Sequence, residues 1–325
     1  MKSKAKEDDH MESEIRKDYF AERYVIISQI RRFRPMNLES KEIIEKERSS
    51  TQNCPFCKGN EHQSVEVYRD QSDWNIRVIE NKYPIVQQNT QIPFFTETFF
   101  PGVGEHYVIV ETPDHLKRFH ELSTNEIELY LRTLSWLSEK MYKNPVIEYA
   151  HIFKNEGKMS GASLYHSHSQ AIGLPFVPPR IIEIISGSFL HPGCYVEKII
   201  HDEKSSERFV EETKHFIVFC PYASFTPYEL LIIPKKHLKE LSQLVKDELM
   251  ELSLLLKKYI EKVFALTSSY NVMFYQAPKN HDFHMIIQIF PRITTWGGLE
   301  LGTNIIVNPV SPEESAKYYR EKNNE

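Results

Sequence analysis

The sequence predicts an α+β chain made of two tandem copies of one unit, each copy an antiparallel sheet with helices packed on it. Three observations predict this. First, one order of features occurs twice: an apolar strand, a proline, the triplet His-Leu-Lys, an acidic leucine-rich helix, then a strand with a His…Gln frame. Second, the spacings agree: 51 residues separate His115 from His166, and 47 separate His237 from His284. Third, a chain of 325 residues that is 41% hydrophobic and 26% charged has the size and composition to bury a substantial core.

The elements follow in chain order. The first 13 residues, MKSKAKEDDHMES, are polar and lack the apolar core of a secretory signal, so they read as a disordered tail. Residues 14–190 then form the first copy and 191–325 the second. "RYVIIS" (Arg23–Ser28), "NIRVIE" (Asn75–Glu80) and "HYVIVE" (His106–Glu111) are rich in β-branched residues and read as strands. A helix begins after Ser123, three residues before Glu126, in a capping-box pattern. Its apolar positions Ile127, Leu131, Leu134 and Leu137 recur at helical spacing. "EYAHIFKNEG" reads as a strand and turn, and "SLYHSHSQAI" (Ser163–Ile172) as the next strand. In the second copy, "PYELLIIPKKHLKELSQLVKDELMELSLLLKKYIEKVF" runs strand, proline, His237, long helix, and "HDFHMIIQIFPR" closes the unit.

Composition also excludes partners. A net charge of −5 lacks the basic footprint of a nucleic-acid binder. No apolar run approaches the roughly 18–20 residues of a membrane span. The cytoplasm is therefore the expected location. Of four cysteines, Cys54 and Cys57 form a CPFC pair, while Cys194 and Cys220 stand alone and read as buried apolar thiols.

Three groups of residues carry chemistry. The CPFC pair has the spacing of half a tetrahedral zinc site, which His115 and His166 would complete if the fold brings them together. Two packing cysteines and a redox pair are the alternatives. In "HSHSQ", strand alternation puts His166, His168 and Gln170 on one face. His168 can be a nucleophile toward phosphorus, a metal ligand or a structural histidine. The small-residue run Ser160–Ser163 ahead of it would let a phosphate approach backbone N–H groups, and Gln170 could donate to a phosphate oxygen. The copies differ at one telling position: His168 is matched by Ile286, while His166 is matched by His284 and Gln170 by Gln288. The first copy alone keeps the second imidazole. Finally, Arg31, Arg32 and Arg34 follow a strand and suit either phosphate oxygens or a solvated turn.

Together "CPFC", "QIRRFRP", "TPDH", "FKNEGKMSGASLYHSHSQ" and "GGLELGTNIIVNPVSPEE" resemble the galactose-1-phosphate uridylyltransferase family of the histidine-triad superfamily, over about Arg16–Arg320. The C-terminal segment and the Ser-His-Ser spelling are most similar to the branch of ADP-glucose phosphorylases. The resemblance implies two histidine-triad repeats and ping-pong nucleotidyl transfer between a nucleoside diphosphate sugar and a hexose 1-phosphate or inorganic phosphate. It implies His168 as nucleophile. Gln170 and Ser163 would contact the transferred phosphate, Arg31 and Arg34 would bind phosphate, Asn81 and Asn155 would contact nucleotide and phosphate, and Glu300 would contact the sugar. Cys54, Cys57, His115 and His166 would hold one structural zinc ion. A second metal held by histidines on the second repeat's strand is not expected, because Ile286 and Gln288 stand there. A homodimer is expected on the resemblance alone. The leading reading is a UDP-glucose:hexose-1-phosphate uridylyltransferase of galactose metabolism. Its rivals are an ADP-glucose phosphorylase, a dinucleoside polyphosphate phosphorylase and a non-catalytic zinc-stabilised nucleotide-binding protein.

Overall fold

The computed structural model describes residues 13–33, 54–88, 96, 98, 101–189 and 193–321. All of the expected N-terminal tail but Ser13, and the phosphate candidate Arg34, lie outside the described residues. The strands are β1 (Glu14–Lys17), β2 (Tyr24–Ile27), β3 (Glu66–Arg69), β4 (Arg77–Glu80), β5 (Glu105–Val110), β6 (Tyr149–Glu156), β7 (His168–Leu174), β8 (Phe209–Glu212), β9 (Phe216–Phe219), β10 (Leu230–Pro234), β11 (Tyr270–Tyr275), β12 (Ile286–Pro291) and β13 (Ile306–Asn308). The helices are α1 (Thr124–Lys143), α2 (Pro179–Phe189), α3 (Tyr195–Glu203), α4 (Lys246–Leu266), α5 (Gly298–Thr303) and α6 (Pro312–Arg320).

Strands β3 to β12 form a ten-stranded sheet in the order β3-β4-β5-β7-β6-β11-β12-β10-β9-β8. Counted inward from either edge, the two halves have the same topology, each with its long helix, α1 or α4, between the last outer strand and the inner pair. The sequence reading gave each copy its own sheet. The structure instead joins them through the antiparallel pair β6–β11, with Asn155 opposite Asn271. Left apart, each of these strands would present an unpaired row of backbone N–H and C=O groups.

The capping box at Ser123 forms as expected: the Ser123 hydroxyl accepts from the Glu126 N–H at 3.3 Å, and the Glu126 carboxylate accepts from the Ser123 N–H at 2.7 Å. Ile127, Leu131, Leu134 and Leu137 are fully buried. They join Ile109, Ile152, Ala171, Leu252, Leu256, Val272 and Ile287 in one core that spans both halves. The two long helices thus cover one face of the sheet. Along β6 the other face is less covered: Ile152, Lys154 and Glu156 are buried toward the helices, whereas His151, Phe153 and Asn155 are half-buried. Phe153 pairs with Gln170, which puts Gln170 and, two residues away, His168 on that more open face.

A smaller sheet, β1-β2-β13, has β13 parallel to β2. Its Val25, Ile27 and Ile306 pack on Phe225, Met273 and Phe290, over the second half of the open face. Among the described residues no helix is long and apolar enough to cross a membrane.

Candidate active site and metal centre

The strand expected from Ser163 starts five residues later, at His168, so His166 lies on the bend leading into β7. His284 precedes β12 by two residues, as His166 precedes β7. This bend carries His166 to the CPFC turn. Cys54, Cys57, His115 and His166 bring their ligand atoms within 4.8 Å of one another. The sulfur-to-Nδ1 separations are 3.6 Å for Cys54–His166, 3.3 Å for Cys57–His115 and 3.6 Å for Cys57–His166. Bond lengths of about 2.3 Å to sulfur and 2.0–2.1 Å to nitrogen, at tetrahedral angles, require about 3.6 Å. Two thiols and two imidazoles at this separation therefore fit a tetrahedral zinc ion. His166 Nε2–H donates to the Thr112 carbonyl at 2.7 Å, which leaves Nδ1 as the ligating nitrogen. Burial lowers His166 to about 4, keeping it neutral, and burial plus the Cys54 sulfur push the Cys57 thiol up to about 12.

A second group able to hold a metal was missed in the sequence: Cys194, Glu197, His237 and His284, again within 4.8 Å of one another. Cys194 Sγ lies 3.4 Å from His284 Nδ1, and His284 Nε2–H donates to the Pro234 carbonyl at 2.7 Å, as His166 does to Thr112. Cys194 is thus half-buried against an imidazole rather than an apolar packing thiol; Cys220 is buried in the core as expected. The expectation of a single metal site considered only Ile286 and Gln288, and this group uses neither. Its signal was a Cys-x-x-Glu spacing, half of which is not a thiol.

His168 is 5% exposed. Its Nδ1 lies 2.8 Å from the His166 carbonyl oxygen, which can only accept, so Nδ1 carries the proton and Nε2 the lone pair. Burial lowers its pKa, so the ring is neutral near pH 7. The Phe56 ring, from the CPFC turn, packs 5.2 Å from it. The metal centre and the nucleophile candidate thus share one wall.

Beneath β7, on the helix side, is a buried polar network that the sequence reading did not anticipate. Lys154 is fully buried, and its ammonium donates to Glu111 at 2.7 Å, Ser167 Oγ at 3.1 Å and the His168 carbonyl at 3.2 Å. It also pairs with Glu156 at 2.9 Å, which Arg118 meets at 2.8 Å from the other side. Ser167 and Ser169 donate to Glu111, and Tyr130 meets Ser169 at 3.0 Å. Burial opposes ionisation of Glu156, but Lys154 and Arg118 outweigh it and hold the carboxyl below its ordinary range. The available signal was charge in the wrong phase: Lys154 and Glu156 share the face of Ile152.

On the open face Gln170 meets His106, whose Nε2 is 2.9 Å from Gln170 Oε1 and 3.0 Å from Asn81 Nδ2. His106, on β5, was also missed. Asn155 accepts from the Asn271 amide at 2.7 Å, where the two halves join. Ser163 is exposed on the loop from Gly157 to Tyr165, beside a small crevice that Arg118 also lines. At Gly157 φ is +77°, and a Cβ would lie 2.4 Å from the Ser268 carbonyl, so this turn requires glycine. Arg31 is exposed on a 3-10 turn after β2. Its neighbour Arg32 is occupied by Glu314 and the Pro309 carbonyl. Glu300 lies in α5 and caps the Gly297 N–H at 2.8 Å. Among the described residues no hydrogen bond joins Arg31 or Glu300 to His168, Gln170 or Asn155.

The chain is similar to known proteins in sequence and fold. A family model described as galactose-1-phosphate uridyl transferase, N-terminal domain, matches residues 3–178. The chain belongs to this family. A model of a domain of unknown function matches residues 103–319. ADP-glucose phosphorylase of Arabidopsis thaliana is 32% identical, over 95% of this chain and 92% of its own. Galactose-1-phosphate uridylyltransferase of Thermotoga maritima is 30% identical, over 95% of this chain and 98% of its own. The crystal structure of the Arabidopsis phosphorylase with bound ADP-glucose superposes with a TM-score of 0.83 at 31% identity, covering 96% of this chain and 99% of that one. Like these galactose-1-phosphate uridyl transferase relatives, the chain is a nucleotidyltransferase with the two-repeat fold expected of it.

Proposed function

We propose that this chain moves a nucleotidyl group from a nucleoside diphosphate sugar to a phosphate acceptor through a covalent nucleotidyl-His168. The observation that carries the reading is the Nδ1–H bond of His168 to the His166 carbonyl, which leaves a neutral ring with its Nε2 lone pair for attack. In the first step Nε2 forms a bond to the α-phosphorus, the bond from that phosphorus to the bridging oxygen breaks, and hexose 1-phosphate leaves. In the second, a phosphate oxygen of the acceptor attacks the same phosphorus and the N–P bond breaks, restoring the imidazole. Gln170, on the same face, is the donor for a non-bridging oxygen, and Asn81, Asn155 and Ser163 are further nucleotide and phosphate contacts in this reading. Arg31, Arg34 and Glu300 are the remaining substrate contacts in this reading. Zinc at Cys54, Cys57, His115 and His166 would tie the CPFC turn to the bend before the nucleophile.

With hexose 1-phosphate as acceptor and UDP-glucose as donor, the reaction is that of a uridylyltransferase of galactose metabolism. The adenosine version, ADP-glucose with inorganic phosphate, is favoured by the match to the structure that holds ADP-glucose. Incubation with α-phosphate-labelled UDP-glucose or ADP-glucose tests both. Acid-labile label should appear on the protein with the true donor, be discharged by the true acceptor, and be absent from His168→Gly. Label retained by that variant would refute the reading, and binding of either nucleotide without any label would make the protein a sensor. We divide the chain at about residue 190 into a catalytic and a scaffold repeat. The described cysteines are free, which supports the cytoplasm. Exposed Trp296, Leu299 and Leu301, on the segment with Glu300, support a homodimer.

A further inference from the structure

We infer that His106 is a positioning residue that fixes the amide orientation of Gln170, so that its NH2 group faces the substrate phosphate. This rests on the reading of His168 as nucleophile. His106 sits opposite Ile172 and Gln170 opposite Val108, so the two side chains are diagonal neighbours on one face, within reach of each other. The buried ring of His106 is held from behind by a donor that cannot turn: the backbone N–H of Ile85 donates to Nδ1 at 3.3 Å. Nδ1 therefore accepts, and the single proton of the neutral ring is on Nε2. An Nε2–H at 2.9 Å requires an acceptor from Gln170, so Oε1 turns toward His106 and the NH2 turns away from it.

The Tyr83 N–H donates to Asn81 Oδ1 at 2.9 Å, which turns the Asn81 NH2 toward the ring, where it meets Nε2–H at 3.0 Å. With the Nε2–H given to Gln170, this second contact is not a hydrogen bond and fixes neither amide. One backbone N–H, that of Ile85, thereby sets the ring that aims the Gln170 amide outward as a donor. The chemistry it fits is an acceptor-only group lying over His168, as the non-bridging oxygens of a phosphate are. An amide of Gln170 free to rotate would present its carbonyl oxygen to that anion in half of its arrangements.

The test is the single-turnover rate of labelling of His168 by the α-phosphate-labelled nucleotide sugar, in His106→Phe, His106→Gln, His106→Asn, Gln170→Ala and the double variant His106→Phe with Gln170→Ala. Loss or misdirection of one such donor should slow His106→Phe about 10- to 100-fold, while the affinity for the nucleotide sugar moves less than about 3-fold. His106→Gln, whose amide nitrogen reaches the Nε2 position, should recover to within about 5-fold, and the shorter His106→Asn should not. In the Gln170→Ala background, His106→Phe should change the rate less than about 3-fold, because the group it positions is gone. Multiplicative effects of the two substitutions, equal rates for the Gln and Asn variants, or an undiminished rate in His106→Phe would overturn the role of His106 while leaving the nucleophile in place. Absence of label on the unaltered chain would overturn both.

Discussion

Lys154→Met should destabilise the fold by about 3–5 kcal/mol at pH 7, the cost of removing one partner from a buried charge cluster. The structure shows why the upper part of this range applies. The side chain of Lys154 is 1% exposed, those of Glu111 and Glu156 are 0% and 3% exposed, and the ammonium stands between them at 2.7 and 2.9 Å. Methionine fills the space of the alkyl stem but supplies no hydrogen. Glu156 keeps Arg118, whereas among the described residues Glu111 keeps hydroxyl donors alone, from Ser167 and Ser169. The pH dependence follows from Glu156, whose carboxyl is held below its ordinary range in the fold. Stability from such a group is present above the unfolded carboxylate range and is lost as pH falls through the folded value. The gap between wild type and variant should thus be full at pH 7 and narrow below about pH 4.5. Urea unfolding at pH 7, 5 and 4 measures it. Replacing Glu111 by Leu as well should recover roughly half of the loss, since an apolar pair of similar volume avoids the unpaired charge. A single variant within about 1 kcal/mol of wild type, or a gap constant across this pH range, would refute the reasoning.

Metal analysis should find at least one zinc per chain, lost in Cys57→Ser; a second equivalent, lost in His284→Ala and retained in Cys57→Ser, would mean the Cys194 group is filled as well. Gly157→Ala should cost about 1–3 kcal/mol in thermal or urea unfolding, since alanine must adopt a positive φ against the Ser268 carbonyl. Leu134→Ala, in the core shared by both halves, should cost about 2–5 kcal/mol in the same assay. Burial raises the Glu229 carboxyl to about 7, despite donors from Gln288 and the Phe225 N–H. A raised carboxyl contributes stability that is full below its unfolded value and lost as pH rises through the folded one, so a slope of about 3 kcal/mol between pH 4.5 and 7 should be absent from Glu229→Gln.

Features with a local pattern were legible in the sequence. The capping box at Ser123, the helical spacing to Leu137 and the duplicated order of His115 and His237 each lie within a short window, and each is realised. The CPFC pair was legible as half of a metal site, its completion by His115 and His166 was implied by the family resemblance, and the structure brings the four together. His168 was separated from His166 by comparison with Ile286, and the structure separates them physically, one on the bend and one on the strand. Lys154, Glu111 and Glu156 were not legible, because the network joins β6 to residues around the end of β5 and the start of β7 that are distant in sequence, and a charged residue in an apolar phase reads as noise until its counter-charge is known. Cys194 was missed for a related reason: half of its pair is a carboxylate. His106 could be assigned only with the Ile85 N–H behind it, which is loop geometry. The union of β6 with β11 depends on pairing between residues more than a hundred apart, which periodicity does not encode.

That union has a consequence for how such a chain can change over time. A gene encoding only the first half would yield a sheet that bears His168, with β6 laid bare along its eight residues, from Tyr149 to Glu156. Such an edge invites a copy of itself, and a symmetric pairing would bring together two copies of His168 where the present chain has one. The degenerate half is therefore a permanently attached partner that occupies this edge. It frees its own His168 counterpart to become Ile286, and it makes the two copies one heritable unit that recombination cannot divide without exposing the seam.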